Sequence, residues 1–185
     1  MSYELKNVAI RLVEEPPLLS ETQITSPEAA VKLVGGELKK YSKEVVCIVS
    51  VDAGQKPLNM SIISMGALNE CFVDPKEVFK PALLSNAYAI IMLHNHPSGE
   101  LTPSRADIAM TDRLVKCGKL LELPLQDHII VGNPRTKGYY SLNENQLISD
   151  TRQEQRVEYT ADAEELQFEM PIVAEPAAVR RGRGR

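Results

Sequence analysis

The chain has 185 residues, 43% of them apolar, with 21 basic and 25 acidic side chains and a net charge of −4. That length and apolar content suit one globular domain with a core of its own, and the charge balance excludes bulk electrostatic attachment to nucleic acid. There is no apolar run of roughly 18 residues to span a membrane, and the opening MSYELKNVAI lacks the basic-then-apolar pattern of a secretory signal. Three cysteines, Cys47, Cys71 and Cys117, suggest neither a disulfide framework nor a cysteine zinc cage. A reducing cytoplasm is the expected location.

Residues 5–13 (LKNVAIRLV) suit a strand. A helix is expected over about 27–41: Thr25 and Glu28 have capping-box spacing, Pro27 suits a first turn, and Val31, Val34, Leu38 and Tyr41 share a face. The β-branched run from Glu44 to Val51 reads as a buried strand. After a turn at 52–55, a second strand is expected over 57–65, ending at Gly66. Asp74 and Pro75 open a helix to about Asn86, with Pro81 expected to kink it or make its first half irregular. Tyr88 to Leu93 reads as a third buried strand, 94–103 as a loop and 104–121 as a helix. Two strands, 126–132 and 138–142, complete an α/β or α+β domain around one mixed sheet.

Charge divides the chain. Residues 1–142 carry net −1, 143–175 carry net −7, and the arginine-glycine end at 180–185 adds +4. Apolar periodicity fades after Leu142. Three parts are expected: a lead-in over 1–21, the domain over 22–143, and over 144–185 an acidic tail, disordered or partly helical.

The stretch that carries chemistry is His94-Asn95-His96-Pro97-Ser98-Gly99 with Thr102-Pro103-Ser104-Arg105-Ala106-Asp107. In extended backbone, residues i and i+2 point to one side, so His94 and His96 can grip a single cation. Ser104 and Asp107 share the first turn of a helix. Alone they make a good helix cap, with Ser at the cap and an acid three residues on. The same turn can also aim the carboxylate at a cation. Two His and one Asp leave the fourth position of a tetrahedral zinc site for water, as catalytic sites require.

His94-x-His96, seven residues, then Ser104-x-x-Asp107 resembles the JAMM (MPN+) metalloprotease motif at every fixed position. The fuller string, with Asp127-His128-Ile129-Ile130-Val131-Gly132 downstream and Asp74-Pro75-Lys76-Glu77-Val78-Phe79-Lys80 upstream, is similar to the RadC-like branch of that family over roughly 22–143. The resemblance implies a JAB/MPN-type, cytidine deaminase-like mixed sheet flanked by helices. It implies one Zn²⁺ held by His94, His96 and Asp107, with an upstream glutamate as the base. Glu44, at the start of an apolar strand after the first helix, is the candidate, with Glu37 and Glu70 as fallbacks. The implied activity is hydrolysis of a peptide or isopeptide bond in a peptide or protein substrate, with Ser104 donating to the oxyanion.

Other readings stay open at the sequence level. His128 could orient a ligand or be a satisfied structural histidine. Asn95 and Ser98 could orient the loop or a substrate, or simply bond within the loop. The chain could be a non-catalytic metal-binding module, or a DNA-repair-associated one as the RadC name suggests. Only about twenty residues precede the domain, where RadC proteins usually carry a helix–hairpin–helix-like region, and the near-neutral charge gives nucleic acid little to hold. The letters His-Asn-His are not the HNH nuclease motif, whose residues are spread over tens of positions.

Overall fold

In the computed structural model, residues 23–66 and 73–148 are described. The expected strand at 5–13, the tail beyond 148, Glu70 and Cys71 lie outside them. The centre of the fold is β1 (Val45–Val51), buried along its whole length. Such a strand needs neighbours on both edges and cover on both faces, and it has them. β2 (Pro57–Met65) and β3 (Ala89–Asn95) pair antiparallel with β1 on either side. β4 (Leu125–Val131) runs parallel to β3, and β5 (Tyr139–Ser141) closes the sheet antiparallel to β4. The order is β2-β1-β3-β4-β5, a mixed sheet as expected.

Strand alternation divides the core in two. Val45, Cys47, Val49 and Val51 of β1 and Ala89, Ile91 and Leu93 of β3 pack with Ala30, Val34 and Leu38. These last belong to α1, residues 27–38, which is α-helical at Pro27–Ala30 and Gly36–Leu38 with a π-helical turn, Val31–Gly35, between. Its cap is Ser26 and not Thr25: the Ser26 hydroxyl accepts from Ala29 N, and Pro27 takes the first helical position, where a missing N–H costs nothing. The helix ends short of Tyr41.

The other face, Val46, Ile48, Ile90 and Met92, packs on α2 (Pro75–Leu84) and α3 (Arg105–Leu120) through Val78, Phe79, Ala82 and Leu114. α2 stays helical through Pro81. Cys47 is buried in the first cluster and Cys117 packs against the second; both are free thiols. Where α3 hands over to β4 the chain passes close to its own helix. A Cβ on Gly118 would meet the Leu123 carbonyl oxygen at 2.6 Å, so only glycine fits there.

The largest departure from the sequence reading is at the end of β3. The strand does not stop at Leu93 but continues through His94 and Asn95, which pair with Ile130 and Val131 of β4. The His96 N–H extends the ladder, donating to the Val131 carbonyl at 2.8 Å. Polar residues suggested a loop, but their side chains find partners inside the protein and the backbone keeps its sheet bonds.

Candidate metal centre

The site lies at the carboxyl end of β3, where the crossover to β4 begins with α3. Ligand sites in open sheets favour such strand ends. His94 has the same parity along β3 as Ile90 and Met92 and so faces α2 and α3. His96 follows two residues later on the same side, its Nε2 2.8 Å from Nε2 of His94. Asp107 arrives from the first turn of α3, with Oδ1 3.4 Å from His94 Nε2 and Oδ2 3.6 Å from His96 Nε2. All three residues are buried. Among the described residues they form a group able to hold a metal ion, with ligand atoms within 4.8 Å of one another.

Local chemistry explains why the three converge. The Ser104 hydroxyl accepts from Asp107 N at 3.1 Å, and Asp107 Oδ2 accepts from Ser104 N at 2.7 Å. This capping box fixes the carboxylate, with Oδ2 tied to the helix start on the side of His96 and Oδ1 toward His94. The loop between them turns at Gly99, whose φ of +89° only glycine takes readily and whose Cβ would meet Asn133 Nδ2 at 2.7 Å. His96 Nδ1 donates to the Glu100 carbonyl at 2.7 Å, so Nε2 is the nitrogen that faces His94 and Asp107. Ser98 accepts from Glu100 N within the same loop.

The electrostatics follow from this packing. Burial pushes Asp107 up, but the bonds and charges from His96, His94 and Ser104 outweigh it and hold the carboxyl far below its usual range. Burial is also the main reason that His94 is pulled down to about 4 and His128 well below its ordinary value. His96 is raised, chiefly by Asp107 and more weakly by Glu44. Two ring nitrogens 2.8 Å apart beside a carboxylate bring lone pairs together, and only a shared cation or proton makes that favourable. His, His and Asp are also a donor set that zinc takes. The residues present therefore fit a divalent metal.

The other expected residues fall into place unequally. Glu44, half-buried just before β1, is close enough to His96 to act on its charge. Glu37 lies on α1, across the sheet from the imidazoles, and is exposed and paired with Lys40. Ser104 occupies the cap. Asn95 points the opposite way from His94 and bonds the segment that carries Glu44. His128 is fully buried behind His94, its Nε2 2.6 Å from His94 Nδ1. Thr111, which belongs to no motif in the sequence, bonds His128 Nδ1 at 2.6 Å and the Asp107 carbonyl at 2.7 Å. Its signal was present: it stands one helical turn beyond Asp107, on the same face.

A mixed five-stranded sheet with a His-x-His pair at a strand end and an aspartate from the next helix defines a JAB/MPN-type domain. The chain belongs to the RadC-like JAB domain family, which it matches over residues 24–147. It is 39% identical over 130 residues to a UPF0758 protein of Clostridium perfringens, covering 70% of this chain and 56% of the relative. A UPF0758 protein of Caldanaerobacter subterraneus is 43% identical over 122 residues (63% and 52%), and one of Methanosarcina mazei 38% over 146 residues (79% and 61%). The chain thus spans between about half and three-fifths of the length of these relatives. Among the described residues no helix is long and apolar enough to cross a membrane.

Proposed function

We propose that this domain is a zinc-dependent hydrolase that cleaves a peptide or isopeptide bond, with His94, His96 and Asp107 holding the metal. The observation that carries this reading is the buried convergence of those three side chains, with Glu44 in electrostatic reach of His96. A zinc ion there would lower the pKa of a bound water to about 7 and polarise the substrate carbonyl. Glu44 accepts a proton from the attacking water and passes it to the leaving amine. The Ser104 oxygen accepts the Asp107 N–H, which leaves its own hydrogen free to donate to the oxyanion. Burial keeps the His94 imidazole neutral and able to ligate.

The substrate on this reading is a peptide or protein and not nucleic acid, because residues 1–142 carry only net −1. Free thiols at Cys47 and Cys117 suit a reducing compartment such as the cytoplasm.

The test is Glu44→Gln, assayed for metal content and for cleavage of a peptide library that includes lysine-linked isopeptides. The variant is expected to keep one zinc per chain and to lose about 10²–10⁴-fold in turnover. Wild-type protein that takes up zinc but cleaves nothing would favour a non-catalytic metal-binding module. Wild-type protein that binds no zinc would end the proposal.

A further inference from the structure

Behind the three convergent side chains lies a second, wholly buried line of polar groups. It runs from His94 to His128 on β4, on to Thr111 on α3, and ends at the backbone of Asp107. The distances are 2.6 Å from His94 Nδ1 to His128 Nε2, 2.6 Å from His128 Nδ1 to Thr111 Oγ1, and 2.7 Å from Thr111 Oγ1 to the Asp107 carbonyl oxygen. The line therefore starts on one proposed metal ligand and finishes on another.

Its polarity is dictated from the Thr111 end. A carbonyl oxygen can only accept, so the single hydroxyl hydrogen of Thr111 is committed to Asp107. Thr111 Oγ1 must then accept from His128, which puts a hydrogen on His128 Nδ1. The His128 ring is fully buried, and its polar contacts here are a hydroxyl and a ring nitrogen, with no carboxylate among them. A charged ring in that setting would be unpaired, so His128 is neutral and its Nε2 carries a lone pair. The short contact then needs a hydrogen on His94 Nδ1. The remaining His94 nitrogen, Nε2, is left with its lone pair directed at His96 and Asp107.

We propose that His128 and Thr111 are positioning residues that lock His94 in the Nδ1–H tautomer, so that its Nε2 lone pair faces the metal. The inference rests on the reading of His94, His96 and Asp107 as metal ligands. It also couples two ligands: a shift of the Thr111 turn moves both the Asp107 backbone and the ring that orients His94. Outer groups of this kind usually matter about 10–100-fold to metal affinity.

Two measurements test it. The first is the tautomer itself, read by long-range nitrogen–proton correlations in metal-free protein with ¹⁵N-labelled histidine. The Nδ1–H form is expected at both His94 and His128, and an Nε2–H form at either ring overturns the proposal. The second is zinc affinity, by competition with a chromophoric chelator. His128→Phe is expected to lose about 10–100-fold. His128→Gln, whose amide oxygen can accept from His94, should recover at least half of that loss on a logarithmic scale. Thr111→Val keeps the shape and removes the hydroxyl, and should lose affinity without a large change in melting temperature. If His128→Phe does not fold, Thr111→Val and the tautomers decide. Wild-type affinity in both His128→Phe and Thr111→Val overturns the proposal even if the protein binds zinc. If the wild type binds no zinc, the metal reading is what fails, and the tautomers alone judge the relay.

Discussion

Asn95 Oδ1 accepts a hydrogen bond from the Val45 N–H at 2.7 Å, across fifty positions of sequence. The same side chain donates through Nδ2 to the carbonyls of Tyr41 and Lys43, at 3.2 and 3.1 Å. One buried amide thus ties down the backbone on both sides of Glu44. Because Asn95 sits between His94 and His96, the strand that presents the imidazoles on one face holds the segment of the proposed base from the other.

Asn95→Ala leaves three backbone groups without their partner. An unsatisfied buried group costs about 1–3 kcal/mol, and solvent will reach some of these, so a loss of about 3 kcal/mol is expected in urea unfolding. Turnover of the folded fraction should fall as well, since the Glu44 segment is no longer held. Zinc affinity should stay near wild type. An activity loss that merely tracks the unfolded fraction would show that the clamp has no role beyond stability.

Removing metal should destabilise the domain. With free zinc at about a hundred times its dissociation constant, binding adds about 2.7 kcal/mol, worth about 10 °C in melting temperature for a domain of this size. Excess chelator should abolish that shift, and in His94→Ala or Asp107→Ala zinc should produce none. Calorimetry with and without zinc measures it.

Ser104 holds two roles that one substitution can separate. Glycine is nearly as good a helix cap as serine, within a few tenths of a kcal/mol, but it has no hydroxyl to donate. Ser104→Gly should therefore melt close to wild type while losing about 10²–10³-fold in turnover, the usual value of one oxyanion donor. Unchanged turnover would reduce Ser104 to its cap.

Asp127 gives a pH signature away from the metal ligands. Burial raises its carboxyl, only partly offset by Ser141, Asn143 N and the His128 N–H. The folded state thus holds this proton more tightly than the unfolded chain, whose carboxyl titrates near pH 3.9. The stabilisation is complete below that pH and is lost as pH rises through the folded value. Asp127→Asn keeps the acceptor for both backbone N–H groups and does not titrate. Measured by urea unfolding, the stability of wild type relative to this variant should decline from about pH 4 upward. A difference independent of pH would contradict the raised carboxyl.

Much of this protein was legible without coordinates because its signals are local. The β-branched run at 45–51 requires a strand buried on both faces, and the apolar spacings in α3 require a helix with one packed side. His94 and His96 share a side because extended backbone repeats every two residues, and Ser104 and Asp107 meet because a helix turn closes in three or four. The family resemblance rests on those same short spacings. Where local signals are ambiguous, element ends fall a residue or two from their expected places: the cap of α1 is Ser26, and β3 runs past Leu93 into the polar residues.

The partners of those residues depend on strand register, which no local rule supplies. His128 stands behind His94 because β4 pairs parallel with β3 so that Met92 faces His128 and His94 faces Ile130, which sets the two imidazoles diagonally on one face. Slipping that pairing by one residue would turn His128 to the other side of the sheet. Thr111 joins them only once α3 packs on that face, and Asn95 reaches Val45 only once β1 lies beside β3. Register is chosen by the two apolar clusters as they fill both sides of the sheet at once, a collective packing condition that backbone periodicity along one segment does not contain.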